Sequence, residues 1–281
     1  IDALRQVQRG LEDADLKVYG LEGDQFDMGR IKLGLDGRDD DIDRYGRMLH
    51  NMGELGIPLL CYNFMAQFGW FRSSAGVAGR GSALVSRFDL KEVPSSLTEA
   101  GEVPAERIWE NYRYFVQRVM PVAEKAGVQM ALHPDDPPLP SLRGVARIFG
   151  TPEAFERAYA LAPSPSNGVT LCRANFKLMG VDLLAWIRRF AEQKRLFFLH
   201  LRDVRGTADR FVEVFHDEAA GELMETLRAC QEAGFDGPLR CDHVPTMAGE
   251  MDVEPGYGTL GRLFAVGYAL GLMDAMGIPR Q

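Results

Sequence analysis

Short apolar runs alternate with longer stretches of helical periodicity along nearly the whole chain. We interpret the apolar runs as strands, at residues 16–21, 59–64, 128–132, 169–172, 197–200 and 239–243. The stretches with apolar residues at helical spacing are 1–15, 42–52, 104–126, 151–162, 181–193, 219–233 and 259–276. Such an alternation, without a linker, predicts a parallel sheet covered by helices in one α/β domain over residues 1–281.

A chain of 281 residues with this pattern suits a (β/α)8 TIM barrel, in which the active site lies at the C-terminal rim of the parallel strands. The six predicted strands are two short of a closed barrel. Because the chain begins at Ile1 inside a helical pattern, we expect the missing N-terminal strands to precede Ile1. Pro104 and Gly127 flank one helical stretch as a helix start and a C-cap.

Two stretches lack the alternation. Residues 30–43 are charged and contain glycine, which predicts a loop. Residues 66–103 are rich in Gly, Ser and Arg and are much longer than an ordinary loop of about 2–6 residues between a strand and a helix. We predict a long loop here that serves as a lid or a substrate loop. Disorder is the alternative, and Trp70, Phe71 and Phe88 argue against it.

Four of the predicted strands end on a side chain that can bind a metal. These residues are His133, Cys172, His200 and Asp242, separated by 39, 28 and 42 positions. Each interval suits one strand–helix unit of about 30 residues or more. In a barrel the four side chains would converge at one rim, and two imidazoles, a thiolate and a carboxylate form a plausible set for a divalent ion.

Each of these residues alone has a simpler explanation. A single cysteine at a strand end is most often a small buried apolar residue, and a single histidine is most often structural. The recurrence at successive strand ends is what favours a metal site. His50 lies in a charged helical context and is expected at the surface, whereas His216 is predicted in a loop after the strand that ends at His200 and is a candidate for substrate binding.

Composition and charge exclude several classes of partner. The net charge is −8 and no run of Lys and Arg occurs, so nucleic acid and anionic membranes are poor partners. No apolar stretch reaches the roughly 18 residues that span a bilayer. Four cysteines without CxxC spacing argue for a reducing, cytoplasmic compartment.

The glycine-rich segment Gly256-Tyr257-Gly258-Thr259-Leu260-Gly261 matches GxGxxG only formally. A dinucleotide fingerprint needs a preceding strand and a later acidic residue within a βαβ unit, and here the chain ends after one helix. The turn would instead bring Tyr257 near the rim. Arg72, Arg80 and Arg202 are candidates for binding a substrate carboxylate, since a bidentate arginine is its usual partner.

Several motifs together resemble the D-mannonate dehydratase family from the first residues to the last helix. They are CYNFM (61–65), W-x-R (70–72), ALHPDDPP (131–138), NGVTLC (167–172), HLRDV (200–204), the Asp242-His243 pair and PGYGTLGRL (255–263). The resemblance implies a metal-dependent, xylose-isomerase-like TIM barrel. It also implies dehydration of D-mannonate to 2-keto-3-deoxy-D-gluconate in hexuronate (glucuronate) catabolism.

Carried over by position, the resemblance implies metal ligands, an acid/base pair and a substrate site. The metal ligands are His133, Cys172, His200 and Asp242; the acid/base pair is His243 and Tyr257, with Asp242 also near the reaction. The substrate-binding candidates are Arg72, Asn63, Asp135, Arg202 and His216. The family implies Mn²⁺, whereas ligand softness favours Zn²⁺ or Fe²⁺; we predict Mn²⁺, with Fe²⁺, Zn²⁺ and Mg²⁺ as alternatives, and a homo-oligomer (dimer or tetramer).

The chain departs from the family pattern around the expected substrate pocket. Arg173-Ala174-Asn175 stands where the family has Thr-Gly-Ser, and Cys241-Asp242-His243-Val244 where it has Pro-Asp-His-Gly. The exact sugar acid is therefore open. The alternatives are a sugar isomerase or epimerase on the same barrel, whose sites favour Glu and Asp ligands over Cys172, and an inactive sugar-binding relative.

Overall fold

The computed structural model describes residues 1–250 and 254–279. Its contacts divide the chain into two compact units. The first unit contains Ile1–Phe68, Leu97–His133 and Pro140–Thr170, and the second contains Gly69–Ser96, Pro134–Leu139 and Leu171–Gln281. The single domain over residues 1–281 stays a prediction.

The described chain alternates strands and helices as the sequence predicts. The helices are α1 Asp2–Glu12, α2 Gly29–Leu33, α3 Arg38–Glu54, α4 Ala105–Ala126, α5 Pro152–Leu161, α6 Arg173–Leu178, α7 Leu183–Glu192, α8 Ala220–Glu232 and α9 Thr259–Met276. The strands are β1 Gly20–Glu22, β2 Leu59–Tyr62, β3 Ser74–Ala78, β4 Leu84–Asp89, β5 Gln129–Leu132, β6 Ser141–Leu142, β7 Val145–Ala146, β8 Asn167–Cys172, β9 Leu196–Leu201, β10 Asp203–Thr207, β11 Arg210–Val214 and β12 Leu239–Cys241.

All six predicted strands are present. In the first unit β1, β2, β5 and β8 pair in parallel in that order, and in the second unit β12 pairs with β9 in parallel. In the first unit, Leu59 of β2 pairs with Gly20 of β1 and Gln129 of β5. The strands β2, β8 and β9 are buried at every position, which explains their unbroken apolar sequence. The strand predicted at 16–21 begins later, at Gly20, because Leu16 and Tyr19 are exposed and have no core to enter.

Helix α4 shows how local sequence sets the boundaries of an element. Pro104 is its N-cap and Gly127 its C-cap, with φ 69° at the glycine, as predicted. Its buried face includes Tyr112 and Phe115, and these rings pack edge-on against Phe64 and Tyr45 respectively. An edge-to-face cluster of this kind stabilises the core of the first unit.

The prediction of a loop at residues 30–43 is wrong. Helix α2 occupies Gly29–Leu33, and α3 starts at Arg38. The first turn of α3 carries Asp39, Asp40 and Asp41, which the positive end of the helix dipole stabilises. The acidic run that suggested a loop is therefore a helix start.

The stretch 66–103 is not a plain loop, because it contains β3 and β4. These strands join β10 and β11 in an antiparallel sheet of the second unit, ordered β10, β11, β4, β3. The hairpin of β10 and β11, which pairs Asp203 with Val214, replaces the loop expected after His200. A role of residues 66–103 as a lid or substrate loop stays a prediction. Among the described residues, no helix is both long and apolar enough to cross a bilayer.

Candidate metal centre

Three of the predicted ligands lie at the ends of neighbouring strands in the second unit. Cys172 is the last residue of β8, His200 lies near the end of β9, and Asp242 directly follows β12. Strand β12 pairs with β9 in parallel, so that Arg240 lies opposite His200, and the backbone N–H of Asp242 donates to the carbonyl of Leu201 at 3.0 Å. The register therefore brings the carboxylate beside the imidazole.

The ligand atoms of these three side chains lie within 4.8 Å of one another, and all three residues are buried. His133, the fourth predicted ligand, lies at the end of the first unit's segment Leu97–His133, and its part in the site stays a prediction. Donor atoms bound at about 2.0–2.3 Å to one ion lie roughly 3.3–4.6 Å apart, so the spacing suits a single cation. Two imidazoles, a sulfur and a carboxylate are donors that a borderline divalent ion accepts.

The Asp242 carboxyl is charged. Burial alone would raise its pKa, but the interactions with His243, His200 and Arg202 outweigh burial and hold the pKa well below its usual range. Asp242 Oδ2 lies 3.6 Å from Nδ1 of His200 and 3.8 Å from Nε2 of His243. A deprotonated oxygen is therefore available for a cation beside both rings.

Arg202 holds the side chains around this group. Its fully buried guanidinium has five N–H donors, and each one has a partner. The Nε–H donates to Cys172 Sγ at 3.2 Å, a contact that favours the thiolate form. The other N–H groups donate to Glu213, Asp136 and Asn175, and one on Nη1 faces His243 Nδ1, which accepts from it in one tautomer of the ring.

Arg202 also belongs to a charge network of two guanidiniums and two carboxylates, formed with Arg72, Asp136 and Glu213. Arg72 binds Asp136 through two N–H groups, at 2.7 and 3.0 Å, and donates to Glu213 Oε1 at 2.6 Å. Arg202 donates to Asp136 at 2.6 Å and to Glu213 at 2.5 Å. The formal charges of the network cancel, so the four buried groups can all remain ionised.

The guanidiniums determine the state of both carboxyls. Burial by itself raises the pKa of Glu213, but Arg202 and Arg72 reverse the effect and lower it to about 2. The same two arginines overcome burial at Asp136 and hold the pKa of that carboxyl far below its usual range. Both side chains are therefore carboxylates over the physiological pH range, and neither can act as an acid.

His243 lies between partners that demand opposite tautomers. Its Nδ1 is 3.1 Å from Glu213 Oε1, which only accepts, and 2.8 Å from Arg202 Nη1, which only donates. Glu213 selects a proton on Nδ1 and leaves Nε2 as a base, whereas Arg202 selects a proton on Nε2. Nδ1 therefore has a hydrogen-bond partner in either tautomer.

Tyr257 lies beside His243, with ring centroids 5.5 Å apart, and Trp70 packs on the His243 ring at 4.7 Å. The turn before α9 that carries Tyr257 is fixed by Glu250, whose two oxygens accept from the backbone N–H groups of Leu260 at 2.9 Å and Met247 at 2.7 Å. The GxGxxG segment is therefore the start of helix α9, and Glu250, nine residues before Thr259, caps it.

The residues that depart from the family pattern are part of the same framework. Arg173 is buried and forms ion pairs with Asp203 at 2.9 Å and Glu222 at 2.8 Å. Asn175 donates to the carbonyl of Asp135 at 2.7 Å and accepts from Arg202. These substitutions connect α6 to β10 and α8 and to the HPDD segment.

The predicted substrate residues fall into different environments. Arg72 and Arg202 direct their donors to groups of the chain itself, which favours a framework role over a contact with a substrate carboxylate. His216 is buried, its Nε2–H donates to the Leu201 carbonyl at 2.7 Å, and burial lowers its pKa. Asp135 is buried in the second unit, and Asn63, in the first unit, accepts from Lys32 at 2.9 Å.

Sequence reasoning missed Glu213 and the role of Asp136. Glu213 lies in Arg210–Val214, where buried Phe211 and buried Glu213 point to the same face of β11. A carboxylate on the apolar face of a strand was a usable signal. The loop predicted after His200 hides this signal, because a loop has no apolar face.

Comparisons with known proteins bear on the whole chain. The family model of D-mannonate dehydratase (UxuA) matches residues 1–101 and 89–280. The chain belongs to the D-mannonate dehydratase family. The mannonate dehydratase of Streptococcus agalactiae is 34% identical over 98% of this chain and 86% of its own length. Mannonate dehydratase 2 of Halalkalibacterium halodurans is 35% identical over 88% of this chain and 79% of its own length.

Solved structures agree with this family. The crystal structure of mannonate dehydratase from Streptococcus suis matches with a TM-score of 0.88 at 30% identity, over 100% of this chain and 83% of that one. A xylose isomerase-like TIM barrel protein from Mycobacterium smegmatis, in complex with magnesium, matches with a TM-score of 0.58 at 11% identity, over 97% and 79%. The second likeness concerns the fold alone. The predicted α/β TIM-barrel class and the resemblance to D-mannonate dehydratase are both confirmed.

Proposed function

We propose that the protein is a hydro-lyase that removes water from D-mannonate to give 2-keto-3-deoxy-D-gluconate. One observation carries the proposal: a chain that belongs to this family has the four candidate donors in its sequence, and three of them, Cys172, His200 and Asp242, are buried with their ligand atoms within 4.8 Å of one another. Cys172 in this set argues against an isomerase or epimerase, whose ligands are mostly carboxylates. The complete donor set argues against an inactive relative.

We propose that His133, Cys172, His200 and Asp242 bind a divalent ion, and that this ion is Mn²⁺. A divalent ion beside the substrate carboxylate would supply Lewis-acid charge to the C2–C3 region. The softness of a thiolate and two imidazoles favours Fe²⁺ or Zn²⁺, and Mg²⁺ is the hard alternative. The family resemblance favours Mn²⁺, and we keep this ion because softness sets affinity whereas availability often decides which ion occupies a site.

The chain's own residues then move two protons. Either His243 or Tyr257 takes the proton from C2, and the other protonates the hydroxyl that leaves C3 as water; the resulting enol becomes the 2-keto group. Support for this pair comes from their adjacent rings and from the partners of His243 Nδ1, which provide a hydrogen bond in either tautomer of the ring. General acid–base catalysis contributes roughly 10²–10⁴-fold for each group.

The wider setting is part of the same proposal. We place the reaction in hexuronate catabolism, in the cytoplasm, and in a homo-oligomer. The substrate is a small sugar acid, and the net charge of −8 supports the absence of a nucleic-acid partner.

The proposal is tested by incubating the protein with Mn²⁺ and D-mannonate and measuring the 2-keto-3-deoxy product. We expect product from the wild type and none from Tyr257→Phe, with the metal content of the two proteins equal, because the phenol does not belong to the donor set. An isomeric sugar acid as the product would favour an isomerase. No reaction across a panel of aldonic acids would contradict the dehydratase.

A further inference from the structure

One carboxylate oxygen of Glu213 accepts no hydrogen bond from the described part of the chain. Its side chain is 7% exposed. Oε1 accepts from Arg72 and Arg202 and lies beside His243 Nδ1. Oε2 is buried and, among the described residues, has no hydrogen-bond partner. Oε1 of Glu213 is therefore part of the charge network, whereas Oε2 has no hydrogen-bond partner among the described residues.

The position of Glu213 is firmly set by its strand. Glu213 pairs with Val204 across the β10–β11 hairpin, and Phe211 on the same face packs against Phe88 at 5.7 Å between ring centroids. Burial of a charged oxygen without a partner is costly, so such an atom indicates a ligand that satisfies it.

The chemistry of the missing partner follows from the charges nearby. A carboxylate oxygen only accepts, so the partner must be a donor. Arg72 and Arg202 already neutralise Asp136 and Glu213. A cationic ligand at Oε2 would therefore be repelled by the two guanidiniums. A neutral hydroxyl is the donor that fits best.

The location relates this oxygen to the reaction. Glu213 touches His243, which lies against Tyr257 and Trp70. A sugar acid whose C2 and C3 are held at His243 and Tyr257 carries further hydroxyls at C4, C5 and C6. These groups do not change during dehydration.

We propose that Glu213 Oε2 accepts a hydrogen bond from a substrate hydroxyl beyond C3, and that Glu213 is a specificity-determining residue of the enzyme. The inference rests on the proposed dehydration of a sugar acid. It explains why a carboxylate stands on the apolar face of β11, and it makes a polyhydroxylated chain a requirement for good substrates.

The test compares Glu213→Gln with wild type on D-mannonate and on its 4-, 5- and 6-deoxy analogues. With wild type, we expect one analogue to lose roughly 10- to 100-fold in kcat/KM, the usual range for a hydrogen bond to a charged group. Glu213→Gln should lose a similar factor in kcat/KM on D-mannonate relative to wild type. Its kcat/KM on that analogue should then be little lower than its kcat/KM on D-mannonate. Since the hydroxyl does not react, the loss should appear in KM more than in kcat.

Asp136→Asn is the matched control, because both oxygens of Asp136 already have arginine partners. It removes the same charge from the same network, and its loss should be equal on all four substrates. Glu213→Asp, which keeps the charge and withdraws the oxygens by one methylene, should repeat the selective loss if Glu213→Gln does not fold.

The outcomes separate this inference from the proposed function. Suppose that wild type dehydrates D-mannonate and that the Glu213 variants lose the same factor in kcat/KM on every analogue. This result would overturn the role of Oε2 but leave the proposed dehydratase function in place. A wild-type protein that dehydrates no sugar acid would overturn both.

Discussion

At the scale of single residues, the decisive side chain is Arg202. Its five donors connect a predicted metal ligand, Cys172, to a predicted acid/base group, His243, and to both carboxylates of the charge network. A lysine could not replace it, because an ammonium has three donors around a single point, whereas the guanidinium is a planar fork. The arrangement of the site therefore depends on one residue that does not need to touch the substrate.

Arg202→Lys should consequently lower both stability and metal content. Asp136 and Glu213 would lose part of their compensation, and breaking such buried pairs costs about 3–5 kcal/mol in the free energy of unfolding. Urea denaturation and elemental analysis measure the two effects. Arg205→Lys is the control: that side chain is 65% exposed, and its change should cost less than about 0.5 kcal/mol. Wild-type stability in Arg202→Lys would contradict this account.

At the scale of elements, the start of α9 shows how a helix can fix a turn that carries a catalytic candidate. Glu250 caps α9 although it lies nine residues before Thr259, and Tyr257 lies in the intervening segment. Burial alone would raise the pKa of Glu250, but the backbone N–H groups of Leu260, Met247, Thr259 and Gly261 lower it overall. The cap is therefore strongest when Glu250 is ionised.

A group whose pKa falls on folding stabilises the protein above its unfolded pKa, and this contribution is lost as the pH falls through the folded pKa. The unfolded value is about 4.5 for this residue. We expect Glu250→Gln to lower the melting temperature at pH 7, and the difference from wild type to shrink as the pH falls below about 4.5. Glu254→Gln, at an exposed position, should show no such difference. A constant difference down to pH 3 would exclude the charged cap.

At the scale of the whole molecule, the proposed ion joins side chains from segments far apart in the sequence. Ligand binding to the folded state alone stabilises it by RT ln(1 + [L]/Kd), about 2.7 kcal/mol at a hundredfold excess over Kd. The ion should therefore matter for folding stability as well as for chemistry, because residues 172, 200 and 242 lie close together only in the folded chain.

Removing the ion with EDTA should lower the melting temperature, and added Mn²⁺ should restore it. Cys172→Ala should respond little to Mn²⁺. Cys230→Ala should respond like wild type, because Cys230 is another buried cysteine of the second unit that lies outside the donor set. Differential scanning calorimetry with and without Mn²⁺ measures these shifts. An equal response in Cys172→Ala would remove the thiolate from the site.

Local sequence patterns were enough to predict the six strands, most of the helices between them and the four candidate donors at the strand ends. These are local signals: an unbroken apolar run predicts a buried strand, and its last residue lies at the rim whatever its neighbours are. The sequence also contained the acidic start of α3 and the buried carboxylate of β11, but their local patterns resemble loops.

Only the tertiary structure decided what Arg72, Asp136, Arg202 and Glu213 do. These four residues come from separate stretches of chain, and their contacts depend on the pairing of β4 with β11 and of β10 with β11, which no local pattern specifies. Each charge, taken alone, predicts an exposed surface side chain or a substrate contact. Burial together with an opposite charge makes it part of the framework, because a buried ion persists only where the fold supplies its partner.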